Sequence, residues 1–307
     1  MSKSTINVFS RSLVGYASLV RLPNLFTAPP DIVVGLAIAT ASGYAISTSN
    51  AIAIGIASIC LYAAGTTFND YFDVSEDLRF RPERPIPAGE VSRQEALLLG
   101  SALLIGGILI AFTIAEAVAG VVAVCLAVTI LLYDGLFKGS TAGFLLMGAS
   151  RGLNVLLGIT AAVSPSKLSA WEFVVPAIVV TYIAAVTFLG ESETGESDGV
   201  SVLVTIIGVV VASAGVIGLL VARSPPFSET SLTILLLISF LIWTGRALKT
   251  AYTDPSPSTI GHAVGTCVLG LVILNAAFAA TVDFFLGIIT LSFFIPAIGL
   301  SGKFDVS

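Results

Sequence analysis

The sequence predicts an all-α, polytopic membrane bundle of nine or ten transmembrane helices. Three observations carry that prediction. Of the 307 residues, 56% are hydrophobic and only 11% are charged, against about 25% charged in an average soluble domain. Apolar runs recur along the whole chain, and several reach the roughly 20 residues needed to cross a bilayer. None of them alternates apolar with polar residues, which excludes a membrane β-barrel pattern.

The apolar runs give candidate spans at 12–43, 48–70, 93–114, 116–135, 140–163, 170–190, 200–222, 229–248, 259–281 and 283–300. Pro23, Pro29 and Pro30 are expected to break or kink the first. The last two lie so close together that one reads equally as re-entrant or interfacial. Gly-rich phrases such as "LGSALLIGGILIA" suit close helix packing in lipid. Cys60, Cys125 and Cys267 all fall in apolar runs and read as small buried hydrophobes. The polar start "MSKSTINVFSRSL" carries no cleavable signal pattern, so the first span is expected to serve as the insertion signal. No internal repeat stands out, and residues 1–307 read as one domain.

Lys and Arg in the short loops set the expected orientation. With the N-terminus inside, Lys3, Arg11, Arg79, Arg81, Arg84, Arg93, Lys138, Arg246, Lys249 and Lys303 all fall inside. Only Lys167 and Arg223 fall outside. Polar loops 71–92, 136–140 and 190–199 then share the cytoplasmic face of a cell membrane.

Most of the chemistry-bearing residues crowd into "NDYFDVSEDLRFRPERPIPAGE". Asn69, Asp73 and Asp77 are spaced i, i+4, i+8, which puts them on one face of a continuing helix with Asp70 beside them. Like charges at that spacing repel, and a divalent cation removes the cost. Hard oxygen donors suit Mg²⁺, which takes one or two carboxylates and fills its shell with water and substrate phosphates. No Cys/His cluster invites Zn²⁺. Arg79, Arg81 and Arg84 follow in a Pro-punctuated turn that folds back toward the acids, where they suit bidentate contact with phosphate oxygens. The alternative is a solvated loop in which acids and arginines simply pair.

These residues resemble the UbiA superfamily of intramembrane prenyltransferases. "NDYFDVSED" is similar to that family's Asn-Asp-x-x-Asp-x-x-x-Asp motif, and "RPERPIPAG" to its Arg-Pro segment. "RLPNL" at Arg21–Leu25 looks like its first-helix entry, and "YDGLFK" at Tyr133–Lys138 like its Tyr-to-Lys loop after the fourth helix. The phrases "SRGLNVLLG" and "TYIAAVTFLGESETG" look closest to its EboC-like branch. The resemblance implies a bundle around a central cavity open sideways to lipid, binding Mg²⁺ and an isoprenyl diphosphate. It further implies transfer of the isoprenyl group to an aromatic or other small acceptor, with no nucleic acid partner. It makes Asn69, Asp70, Asp73 and Asp77 the first metal–diphosphate site, Arg81, Arg84 and Lys138 diphosphate contacts, and Tyr133 a residue near the reacting carbon. The family's second Asp-rich motif is replaced here by "TFLGESETGESDG", whose Glu191 and Glu193 are the candidate metal ligands.

Outside the motifs, Arg151 sits well inside the fifth span with Asn154 one turn on. A charge at that depth normally faces a cavity or a partner. Arg151 reads either as a contact to diphosphate or a polar acceptor, or as half of an ion pair between helices. Arg21, near Asn24, reads as an anion contact or as a side chain snorkelling to lipid phosphate. His262 reads as an interfacial residue without a role. Phe68, Phe72, Phe137 and Phe188 read as packing, with a cation–π role for a passing carbocation as the sharper alternative. Two rival functions remain: a transporter or carrier of a metabolite precursor, and a prenyltransferase scaffold that binds isoprenoid without turnover.

Overall fold

The computed structural model describes residues 13–45, 47–115, 117–163, 167–192 and 199–301, all helical or in short connections. Among the described residues, ten helical stretches are long and apolar enough to span a membrane. Lys3, Arg11 and Lys303, part of the orientation argument, lie outside the described residues.

The first span departs from the expected 12–43. Helical residues 13–19 (α1) pack Leu19 against Val91 and Ala96 of a later loop and helix. The spanning stretch begins at α2 (Leu22–Leu25) and resumes in α3 (Pro29–Ala41). Pro29 and Pro30 have no N–H to donate, so the helical ladder stops there. The second span, α4 (Thr48–Phe72), ends at Asp73, where ψ rises to 0°, and a short α5 (Val74–Phe80) leaves at a new angle. The third and fourth spans are α6 (Arg93–Ile110) and α7 (Ala117–Leu132), and the fourth runs on into a π-helical turn over Tyr133–Phe137. The "YDGLFK" segment is therefore the end of a span, not a loop after it. Then follow α8 (Thr141–Thr160), α9 (Val174–Glu191), α10 (Val200–Arg223), α11 (Phe227–Thr253) and α12 (Pro257–Ala280). The last span is split into α13 (Phe284–Ser292) and α14 (Phe294–Ser301). Pro296 cannot donate to Ser292, which accounts for the break.

Local chemistry fixes the helix starts. Ser47, Ser92, Ser140, Ser256 and Asp283 each accept a backbone N–H in the first turn of the helix they precede. Ser92 and Glu95 complete a reciprocal capping box.

Burial separates central helices from rim helices. In the spans holding α3 and α12, 78% of the apolar window is buried, against 17% in the α13–α14 span. Large aliphatic side chains such as Ile207, Val221 and Leu235 are exposed on the rim, as expected where the surrounding solvent is lipid. Of the three cysteines expected to be buried, only Cys267 is; Cys60 is half-buried and Cys125 is exposed on the outer face of α7.

α3 crosses α8 closely, backbone against backbone. A Cβ added to Gly35 would stand 2.2 Å from the Val155 carbonyl oxygen, and one on Gly158 would stand 2.5 Å from that of Ile32. Backbone cannot yield as a side-chain tip can. Gly35→Ala is therefore expected to cost about 3 kcal/mol, read as a lower unfolding temperature in detergent. Gly55→Ala, which meets nothing within 4 Å, is the matched control.

Candidate active site

A cavity of about 620 Å³ opens between α4, α7, α8, α9 and α12. Its inner walls are apolar, with Leu126, Ile130, Ile183, Val268 and Leu271 among them. Its charged residues come from the segments singled out in the sequence.

At one end the acidic motif meets three cations. Arg21, in a left-handed backbone conformation (φ 48°, ψ 62°), heads α2. It donates to Asn69 Oδ1 at 3.1 Å and approaches Asp70 Oδ1 at 3.5 Å. It does not snorkel to lipid. Arg84 is buried and donates through one Nη1 to both Asp70 (3.2 Å) and Asp77 (3.1 Å). Lys138 pairs with Asp73 across the cavity mouth. The Pro-rich turn does fold its arginine back onto the acids, as expected.

The shared helical face expected for Asn69, Asp73 and Asp77 does not form. Asn69, Asp73 and Glu76 line the cavity, whereas Asp70 and Asp77 are not among its lining residues. Asp70 and Asp77 instead share Arg84 as their partner. Arg81 lines the cavity and Arg79 is exposed. Across the mouth, Glu191 at the end of α9 lines the cavity beside Gly139. Glu193 lies outside the described residues, as do Glu196 and Asp198.

Tyr133 and Asp134 enter the cavity from the π-helical turn. Such turns often mark functional sites, because one widened turn re-aims side chains. Asp134 accepts from Asn69 Nδ2 at 3.0 Å, so Asn69 is held from both sides, by Arg21 and by Asp134. Phe72 is the one aromatic of the four named that lines the cavity. Phe68 packs on Gly100, Phe188 on Phe144, and Phe137 is half-exposed. His262 is exposed and takes no part.

A second polar cluster sits deeper. Arg151 Nε lies 3.3 Å from Asp31 Oδ2, and both are buried. Asn154 donates to the same Asp31 oxygen at 3.0 Å, and Asn275 to the other at 2.6 Å. Ser58 donates to Asn154 at 2.8 Å. The interhelix-pair reading of Arg151 thus holds, and Arg151 and Asn154 line the cavity as well. Asp31, Asp134, Asn275 and Tyr62 were missed in the sequence. Asp31, an acid in an otherwise apolar span, was the available signal.

The donor set suits a hard divalent ion only in part. Among the described residues, no three of His, Cys, Asp or Glu gather closely enough to enclose a metal. Asn69 and Asp73, with Glu76 and Glu191 at the rim, instead offer a few oxygens on the cavity wall. That suits Mg²⁺, whose remaining ligands are water and phosphate. Asp70, Asp73 and Asp77 are meanwhile each paired with a cation that itself suits phosphate. Arg84 is the cation shared by two buried carboxylates, with Arg21 at 3.5 Å from Asp70 as well, so Arg84→Gln is expected to lower stability by about 3 kcal/mol. Thermal unfolding of the purified variant reads that loss.

The fold is a helical bundle of membrane-spanning length, with acids and cations at one mouth of an apolar cavity. Comparison with known proteins agrees. A model of the UbiA prenyltransferase family matches residues 31–252, and the chain belongs to that family. A digeranylgeranylglyceryl phosphate synthase from Methanosarcina barkeri is 32% identical over 164 residues, 48% of this chain. The chain spans about half the length of the curated relatives it matches, 55% in that case. The apo structure of a UbiA homolog from Aeropyrum pernix K1 superposes with a TM-score of 0.64 at 19% identity, covering 83% of this chain and 96% of that one. A UbiA homolog from Archaeoglobus fulgidus bound to GPP and Mg²⁺ gives 0.60 at 15% identity, covering 91% and 99%. At these identities the superpositions establish the fold alone.

Proposed function

We propose that the protein transfers an isoprenyl group from a prenyl diphosphate to a small acceptor, with Mg²⁺, inside the membrane. The observation that carries the reading is the ring of Arg21, Arg84 and Lys138 around Asn69, Asp70 and Asp73 at the cavity mouth. These cations now face carboxylates. Mg²⁺ would be held by Asn69, Asp73 and the rim glutamates, and Lys138, whose partner is Asp73, would then be free to face the diphosphate. The ion supplies charge neutralisation of the leaving group.

The residues of this chain do the rest. Arg21, Arg81, Arg84 and Lys138 hold the diphosphate oxygens as the allylic C–O bond breaks and its electron pair leaves with the diphosphate. Preorganised charge of this kind often supplies the largest share of catalysis. Phe72, Tyr62 and Tyr133 on the cavity wall shield the allylic cation and keep water from it. The acceptor oxygen then bonds to that carbon, and its proton passes to the released diphosphate.

The family relatives' names favour a glyceryl phosphate acceptor over an aromatic one. Removing one prenyl group from digeranylgeranylglyceryl phosphate gives geranylgeranylglyceryl phosphate as the first acceptor to try. The EboC-like phrases around Arg151 and Thr181 are our finer reading within the family. We further read the chain as one catalytic domain in the cell membrane, with its mouth on the cytoplasmic side where Lys and Arg concentrate.

The test places purified protein with a non-cleavable prenyl diphosphate analogue, beside a turnover assay. Mg²⁺-dependent binding together with turnover supports transfer. Binding without turnover favours a lapsed scaffold, and neither favours a transporter.

A further inference from the structure

Arg151 lies ten residues into α8, about 15 Å of helix rise and so near the middle of a bilayer roughly 30 Å thick. Its side chain is 8% exposed and lines the cavity. Its bonds are unusual for an interhelix clamp. Nε meets Asp31, and Nη2 donates to the Thr27 carbonyl at 2.7 Å, in the break between α2 and α3. Asn154 donates to the next carbonyl, that of Ala28, at 3.0 Å. The two side chains thus bond carbonyls where α3 begins, and that of Ala28 also accepts the Asp31 N–H at 3.2 Å. Broken helices persist at this depth only where protein or a cavity covers them. Nη1 has no partner. The guanidinium also stacks on Tyr62, 5.4 Å from the ring centre, and Tyr62 lines the same cavity.

An unpaired guanidinium N–H in the membrane interior is costly, and the full charge is already balanced by Asp31. What remains is the NH₂ group of Nη1 on a neutral pair. That suits an uncharged oxygen better than a second anion. Tyr62 is seven residues from Asn69 along α4, about 10 Å of rise. The donor therefore stands about two helical turns along α4 from the acidic motif.

We propose that Arg151 Nη1 recognises an uncharged oxygen of the acceptor, a hydroxyl or ether, at the deep end of the cavity. Asp31 is its positioning residue, fixed in turn by Asn154 and Asn275. The inference rests on the prenyl-transfer reading and assigns the acceptor a subsite separate from the diphosphate.

The test uses full-length protein in lipid nanodiscs with Mg²⁺ and non-cleavable geranylgeranyl thiodiphosphate. The protein is titrated with geranylgeranylglyceryl phosphate, its deoxy analogue and an analogue with CH₂ in place of the ether oxygen. Wild type is expected to bind the parent compound about ten- to a hundredfold tighter than one analogue. The Asp31→Asn/Arg151→Met double variant removes both charges together, so no lone buried charge is left to unfold it. It should bind parent and analogues alike, with affinity for the thiodiphosphate within about twofold of wild type. Arg151→Lys, which keeps the pair with Asp31, should also lose the discrimination. Retained discrimination in both variants overturns the proposal. So does wild type that binds none of the three or does not distinguish them, or a parallel loss of thiodiphosphate affinity. Turnover with discrimination that ignores Arg151 sinks this inference and leaves prenyl transfer standing. Arg151-dependent discrimination without turnover does the reverse.

Discussion

Prenyl transfer by an Asp73→Ala variant is expected to fall by about a thousandfold, with stability nearly unchanged. The two halves of that expectation come from different physics. Asp73 lines the cavity and pairs with Lys138 at its mouth, where the lysine side chain remains 32% exposed. Half-exposed pairs contribute about 1 kcal/mol or less to folding. The same carboxylate is the best placed in this chain to share in charge neutralisation of a diphosphate, an effect often worth two to three decades in rate for one group. Product formation from labelled geranylgeranyl diphosphate, measured beside thermal unfolding, separates the two. A fall in both together would make Asp73 structural. Activity at the wild-type level in Asp73→Ala plus Asp77→Ala would remove the motif from catalysis altogether.

The largest effect on folding is expected at Asp31. It is 0% exposed and takes Arg151, Asn154 and Asn275 as partners from two neighbouring helices. Asp31→Ala leaves the Arg151 charge unpaired at mid-membrane and should cost about 3 to 5 kcal/mol. The pair itself is worth far less than its breaking costs. Asp31→Asn with Arg151→Met should therefore be much milder than Asp31→Ala alone. Unfolding in a graded detergent or urea series measures both. Equal losses would mean that the network contributes through packing and not through charge.

How much was legible in the sequence follows from how local each signal was. The spans were readable because hydrophobicity over about 20 residues is a local property. Their interruptions were readable only where proline announced them, at Pro29 and Pro30. The break at Asp73 carried no such mark. Helical spacing groups residues on one face, and it could not tell which of the acids would turn to Arg84 and which to the cavity. The π-helical turn at Tyr133–Phe137 was equally hidden, and it delivers Asp134 to the cavity. The pairing of Arg151 with Asp31 joins residues 120 positions apart, a distance at which one sequence offers no pairing signal. The meeting of the acidic motif with its returning arginine was legible because opposite charges sit close together in the chain, and Lys138 was singled out through the resemblance of "YDGLFK".

The central claim is that this cavity cleaves a prenyl diphosphate and passes the isoprenyl group to an acceptor. The most direct measurement follows inorganic diphosphate and prenylated geranylgeranylglyceryl phosphate released together by purified protein in liposomes. The account predicts both products in equal amounts with Mg²⁺, and neither after chelation until Mg²⁺ is restored. Intact prenyl diphosphate after prolonged incubation with Mg²⁺ and acceptor, or release that ignores the metal, would contradict it.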